Sequence, residues 1–150
     1  MESPPRDPFI DPVIITNDGI ARIDSAEELY GKCQYISLHI PANAETRGSV
    51  NYEMMKLMPA GATLVNTARK EVIDEEGLID MFRKREDFRY ISDIAPDCME
   101  TVEKEFGDRI FCTPKKMGAQ TAEANKNAGV AAAKQIVNFL EQGDVTFKVN

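Results

Sequence analysis

The chain has 150 residues, 43% hydrophobic and 29% charged, with a formal net charge of −7 at pH 7. That length fits one domain able to bury roughly 70% of its unfolded surface. The acidic balance speaks against nucleic acid or an anionic membrane as partners, because both need a concentrated positive field, but it leaves room for a small anionic ligand held by a local cluster of donors.

Residues 1–12 are rich in proline and acidic groups and read as an extended N-terminal segment. From residue 13 onward the pattern alternates. Tyr35-Ile36-Ser37-Leu38-His39-Ile40, closed by Pro41, predicts a strand ending at His39. Residues 51–58 carry apolar groups at helical spacing and are stopped by Pro59-Ala60-Gly61. Residues 62–66 predict a second strand. Asp74-Glu75-Glu76 opens a helix running to about Arg85, with acids in its first turn and bases in its last, as the helix dipole favours. Residues 89–94 and 109–112 predict two more strands, and the polar stretch 97–107 reads as either a short helix or a mobile loop. An alanine-rich helix is expected over about 121–141, ended by Gly143 and followed by a terminal strand over 145–149. Strands alternating with helices at this spacing indicate βαβ units and a parallel sheet. No apolar run reaches the ~20 residues that span a bilayer, and Met1–Arg6 has no signal-peptide core, so the expectation is a soluble, cytoplasmic protein. Cys33, Cys98 and Cys112 show neither disulfide-framework nor metal-ligand spacing, so free thiols and no metal site are expected.

Ligands of an open parallel sheet collect outside the carboxyl ends of its strands. The residues to question are therefore His39 and Pro41, Asn66 to Arg69, Asp93 to Pro96, and Thr113 to Gly118. Arg69 offers a planar fork that grips a carboxylate in two places, or it is a surface arginine pairing with Glu71 or Asp74. Lys115 and Lys116 are two solvated loop lysines, or one of them points into the cleft with its pKa lowered for proton transfer. His39 reads as structural rather than as a catalytic base. Asp93 is either a buried, hydrogen-bonded carboxyl or a contact to a ligand amide. No two of the nine glycines lie within ten residues of each other, so neither G-x-G-x-x-G nor a P-loop is possible in this chain.

Ser37-Leu38-His39-Ile40-Pro41, Glu45-Thr46-Arg47-Gly48, Asn66-Thr67-Ala68-Arg69, Ile73-Asp74-Glu75, Leu78, Asp93 and Thr113-Pro114-x-x-x-Gly118-Ala119-x-Thr121 occur in that order. Together they resemble the signature blocks of the D-2-hydroxyacid dehydrogenases, closest to the branch that oxidises 3-phospho-D-glycerate. The resemblance implies a partial Rossmann-like parallel sheet, the second half of an NAD-binding domain spanning residues 13–150. It implies NAD as cofactor and a D-2-hydroxy acid as substrate. Asp7 would hold the adenosine ribose hydroxyls, and His39 and Pro41 would line the cofactor cleft. Ala68 and Asp93 would lie near the nicotinamide, and Arg69 would hold the substrate carboxylate. Lys116 stands where most of the family has a histidine and would be the acid/base, as in a lysine-type subset. The family's catalytic glutamate after Asp93 has no counterpart, with Asp97 and Cys98 in that region. The substrate half and the glycine-loop βαβ unit are also absent, so the isolated chain is expected to be inactive and to belong to a homo-oligomer or to a completing chain. The alternative is a catalytically inactive remnant, or a binding module that uses the scaffold for protein contacts.

Overall fold

The computed structural model describes residues 22–114 and 121–148. They form two compact units divided at Lys115, each described by itself. The first unit runs α1 (Ala26–Lys32), β1 (Tyr35–Leu38), α2 (Tyr52–Met55), β2 (Thr63–Asn66), a 3-10 turn (Lys70–Val72), α3 (Glu75–Lys84), β3 (Arg89–Ser92), α4 (Met99–Phe106), a second 3-10 turn (Gly107–Arg109) and β4 (Ile110–Cys112). The four strands make one sheet in the order β1-β2-β3-β4, every neighbouring pair parallel. The expected α/β class and partial Rossmann-like parallel sheet are therefore present.

The period of two along each strand decides which side is core. Ile36, Leu64, Tyr90 and Ile110 stand in one cross-strand row, and Leu38, Asn66, Ser92 and Cys112 in the next. All of these are buried except Cys112, which is half-buried. The alternate row is Ser37, Val65, Ile91 and Phe111; only Val65 is half-buried, the others are exposed, and Phe111 reaches 59%. The core thus lies on one side, where Met55, Val72, Leu78, Met81, Phe82, Phe88 and Val102 fill the space under the helices. Burying each of the large side chains contributes about 1.5–3 kcal/mol.

One close approach depends on glycine. On α3, a Cβ at Gly77 would stand 2.6 Å from the backbone nitrogen of Tyr52 and 2.7 Å from Asp74 Oδ2. The missing side chain lets α3 seat against the start of α2, which is N-capped by Asn51 through a 3.1 Å bond from the Met54 amide. At the amino ends of the strands, Arg85 fixes the chain turns. It binds Asp87 through two nitrogens at 2.9 and 2.7 Å and donates to the carbonyls of Met58 and Pro59 at 2.8 Å each. The Gly61 amide donates to the same Asp87 carboxylate. The Arg85 guanidinium, followed by that backbone bond, holds the Asp87 carboxyl far below the usual carboxylate range. Arg109 closes the end of α3 by donating to the Phe82 and Arg85 carbonyls at 3.1 and 2.7 Å, its guanidinium lying over the rings of Phe82 and Phe106.

The second unit is α5 (Ala122–Gln142), capped by Thr121, whose hydroxyl accepts from the Ala124 amide at 3.0 Å. It ends at Gly143 in the left-handed conformation (φ 68°), with the Asp144 amide reaching back to the Asn138 carbonyl. Ile136, Phe139 and Leu140 on this helix are exposed. Among the described residues no helix is long and apolar enough to cross a membrane.

Several elements differ from expectation. The first strand ends at Leu38, one residue before His39, and the helix over 51–58 contracts to Tyr52–Met55. The stretch 97–107 resolves to the helical alternative. The strand expected over 145–149 is corrected: its described residues form a turn, closed by the Lys148 amide on the Val145 carbonyl at 2.9 Å. Asp144 decides this, because its carboxyl accepts from the Thr146 amide and hydroxyl at 2.9 and 2.6 Å, and such local bonds compete with strand pairing. The extended segment expected over 1–12 lies outside the described residues.

Two outcomes are expected. Gly77→Ala should lower stability by about 1–3 kcal/mol in chemical denaturation, since the new methyl meets backbone that cannot yield cheaply. Because the folded-state pKa of Asp87 is depressed, its contribution is present above the unfolded carboxyl value and is lost as pH falls through the folded one. Asp87→Asn should therefore be less stable at neutral pH and should lose less stability than the parent below about pH 4.

Candidate functional site at the carboxyl rim of the sheet

Asn66, the last residue of β2, is 3% exposed and bonds through both ends of its amide. Its Nδ2 donates to the Arg69 carbonyl at 2.9 Å and to the Tyr90 hydroxyl at 3.1 Å, while its Oδ1 accepts from the Ala68 amide at 3.1 Å. This buried bracket folds residues 67–69 into a tight loop and carries Arg69 out to the rim. Burial pushes the Tyr90 phenol up to about 12, so it stays a neutral partner for Asn66. Arg69 itself is exposed. Its Nη1 donates to the Ala68 carbonyl at 2.7 Å, and it makes no ion pair with Glu71, Asp74 or any other described residue. The guanidinium is left with donors to spare, and Ala68 is half-buried beside it.

Asp93 follows β3 directly and is 9% exposed. Its backbone is fixed on both sides: the amide donates to the Asn66 carbonyl at 3.4 Å, and the Thr113 hydroxyl donates to its carbonyl at 3.5 Å. Its Oδ1 is buried and has no hydrogen-bond partner among the described residues. A buried acceptor without a donor is costly, so native proteins rarely leave one unless a ligand or water completes it. Next along the chain, the Ser92 hydroxyl donates to the Ile94 carbonyl at 3.0 Å and shapes the exit from the strand.

At the end of β1, His39 is exposed, with Nε2 2.9 Å from Ser37 Oγ. Pro41 is exposed too, and its carbonyl accepts from the Thr46 hydroxyl at 2.5 Å. The parallel register therefore brings His39, Pro41, Ala68, Arg69 and Asp93 to one edge of the sheet. Asp7, Lys115 and Lys116 lie outside the described residues. Among the described residues, no group of His, Cys, Asp or Glu is placed to hold a metal. A hollow of about 360 Å³ in the second unit, between α5 and the Asp144–Lys148 turn, is lined mainly by apolar side chains.

Residues 6–114 match the family model described as D-isomer specific 2-hydroxyacid dehydrogenase, NAD binding domain. The chain belongs to that family. Among solved structures it is similar to the cofactor (NAD+)-bound 3-phosphoglycerate dehydrogenase of Entamoeba histolytica, at 48% identity and a TM-score of 0.81, covering 97% of this chain and 45% of that one. It is also similar to the D-3-phosphoglycerate dehydrogenase of Methanocaldococcus jannaschii, 32% identical over 139 residues, 89% of this chain and 26% of the relative. The hydroxypyruvate reductase of Thermotoga maritima is 32% identical over 118 residues, covering 76% of this chain and 38% of that protein. The chain thus spans less than half the length of each of these relatives.

The family's cofactor fits the rim on physical grounds. An unpaired buried carboxyl oxygen calls for a donor, and the carboxamide of NAD carries N–H donors of the needed kind. Sequence reasoning singled out Asp93 without seeing that its Oδ1 is unsatisfied, and it missed Asn66 as a bracket. The signal for Asn66 was an amide side chain at the buried phase of an apolar strand. Asn66→Ala should cost about 1–3 kcal/mol in denaturant unfolding, because the Ala68 amide and the Tyr90 hydroxyl lose their partner. Hydrogen exchange at the Ala68 amide should rise in the same variant.

Proposed function

We propose that this chain is the cofactor-binding part of an NAD-dependent D-2-hydroxyacid dehydrogenase acting on 3-phospho-D-glycerate to give 3-phosphohydroxypyruvate. The observation that carries the reading is the pair at neighbouring strand ends: an arginine with no ion pair and a buried carboxyl oxygen with no donor among the described residues. The names of the relatives, two of them phosphoglycerate dehydrogenases, support the choice of substrate.

In this reading Arg69 holds the substrate carboxylate with two parallel N–H donors, which orients the adjacent hydroxyl-bearing carbon. Lys116 accepts the hydroxyl proton as that carbon becomes a carbonyl. Bound NAD supplies the acceptor for the hydride that leaves the same carbon. Asp93 and Ala68 would hold the nicotinamide end, His39 and Pro41 would wall the cleft, and Asp7 would bind the adenosine ribose hydroxyls. The isolated chain is without turnover, because phosphate recognition and the glycine-rich turn are expected from other sequence. A homo-oligomer or a completing chain belongs to the same reading, supported by the open sheet row in which Ile91 is 36% and Phe111 59% exposed.

Calorimetric titration of the chain with NAD is the test. One-to-one binding is expected, weakened roughly tenfold by Asp93→Ala, the effect of about 1–2 kcal/mol that a lost ligand hydrogen bond carries. No binding by the chain would count against the cofactor reading, and measurable oxidation of 3-phospho-D-glycerate by the pure chain would overturn the expected inactivity.

A further inference from the structure

Glu75 opens α3, yet its carboxylate is committed elsewhere. Oε1 accepts from the Asp97 amide and Oε2 from the Cys98 amide, both at 2.7 Å. These amides lie at the start of α4, and Cys98, which stands at the cap position, makes no side-chain cap bond of its own. From 22 and 23 residues away, Glu75 therefore satisfies the amide before the cap residue and the amide of the cap residue itself, as the glutamate of a capping box does for a cap amide locally. The Cys98 thiol is pushed up to about 12 by burial and by the Glu75 carboxylate, so it remains a neutral group packed against this contact.

A second link runs alongside. Lys70 Nζ meets Asp97 Oδ1 at 2.6 Å, and Lys70 is the neighbour of Arg69. Both links leave the crossover after β2, the one that carries Arg69, and both end on the loop after β3, the one that carries Asp93. The two groups on which ligand binding depends thus sit on loops tied together by Glu75 and Lys70. Asp97 has its side chain 77% exposed, so the ion pair is screened by water and the doubly bonded Glu75 is the stronger tie.

We propose that Glu75 is a positioning residue of the rim, fixing the Asp93 loop relative to the Arg69 loop; its consequence for cofactor binding rests on the function proposed above. Both oxygens of Glu75 are spent on backbone amides, so its part is to position rather than to bind. It acts by stopping the start of α4 from drifting, which would move Asp93 Oδ1 from the position where the proposed function has it meet a ligand donor.

The test compares the parent chain with Glu75→Ala, Glu75→Gln and Lys70→Ala by amide hydrogen exchange and by NAD titration. In Glu75→Ala, exchange should rise at least tenfold at Asp97 and Cys98 and several-fold at Arg69–Lys70 and Asp93–Ile94. NAD affinity should fall five- to tenfold. Glu75→Gln keeps one acceptor oxygen and should fall between parent and alanine, which guards against an alanine variant that does not fold. Lys70→Ala should raise exchange at residues 93–98 by a smaller factor. If the rise stays confined to Asp97 and Cys98 and NAD affinity is unchanged, Glu75 is a helix cap only and the proposal is overturned. If the parent chain binds no NAD while Glu75→Ala still loosens both loops, the brace stands and it is the cofactor reading that fails.

Discussion

Parallel pairing is the constraint on which the rest depends. Strands that run the same way must be joined by crossovers, so every strand begins at one edge of the sheet and ends at the other. In this chain the in-register row Leu38, Asn66, Ser92 and Cys112 fixes the finishing edge, and the loops beyond it start from aligned positions. Three consequences follow from that alignment. Arg69 and Asp93 come to the same edge although 24 residues separate them in sequence, polar groups near the ends of the strands must find partners, and a buried group left over on that edge is a candidate for a ligand contact.

The two edges of the sheet are built differently, and the contrast supports the assignment of the site. At the starting edge Arg85, Asp87 and Arg109 spend their charge on backbone carbonyls, on one another and on the Gly61 amide. At the finishing edge Asn66 is satisfied, but among the described residues Arg69 has no ion pair and Asp93 Oδ1 has no donor. A protein that satisfies one edge so fully and leaves the other open keeps its unpaired groups where binding energy can be recovered from a ligand.

Much of the fold was legible because the apolar runs ending at Leu38, Asn66, Ser92 and Cys112 are short and bounded by turn residues. Their bounds shifted by a residue or two, as hydrogen bonding rather than hydrophobicity decides where a strand ends. The terminal strand failed for a local reason: Asp144 captures Thr146 before Val145 and Phe147 can express their β preference. α1 was missed although Ser25 caps it through the Glu28 amide at 3.0 Å, since its seven residues carry little apolar pattern and only Tyr30 is buried. At the site, residue type and block spacing were enough to nominate Arg69, Ala68 and Asp93. Long-range roles were not legible. Nothing in Ile73-Asp74-Glu75 says that Glu75 will cap a helix two elements later, and nothing in the sequence around Gly77 says that a backbone will press against it.

Mapping amide chemical-shift changes across the chain as NAD is added shows whether the carboxyl rim takes the ligand. The largest changes should cluster at Ala68–Arg69 and Asp93–Ile94, with the Arg85–Asp87 edge silent. Changes centred on that opposite edge, or on the hollow beneath α5, would contradict that placement.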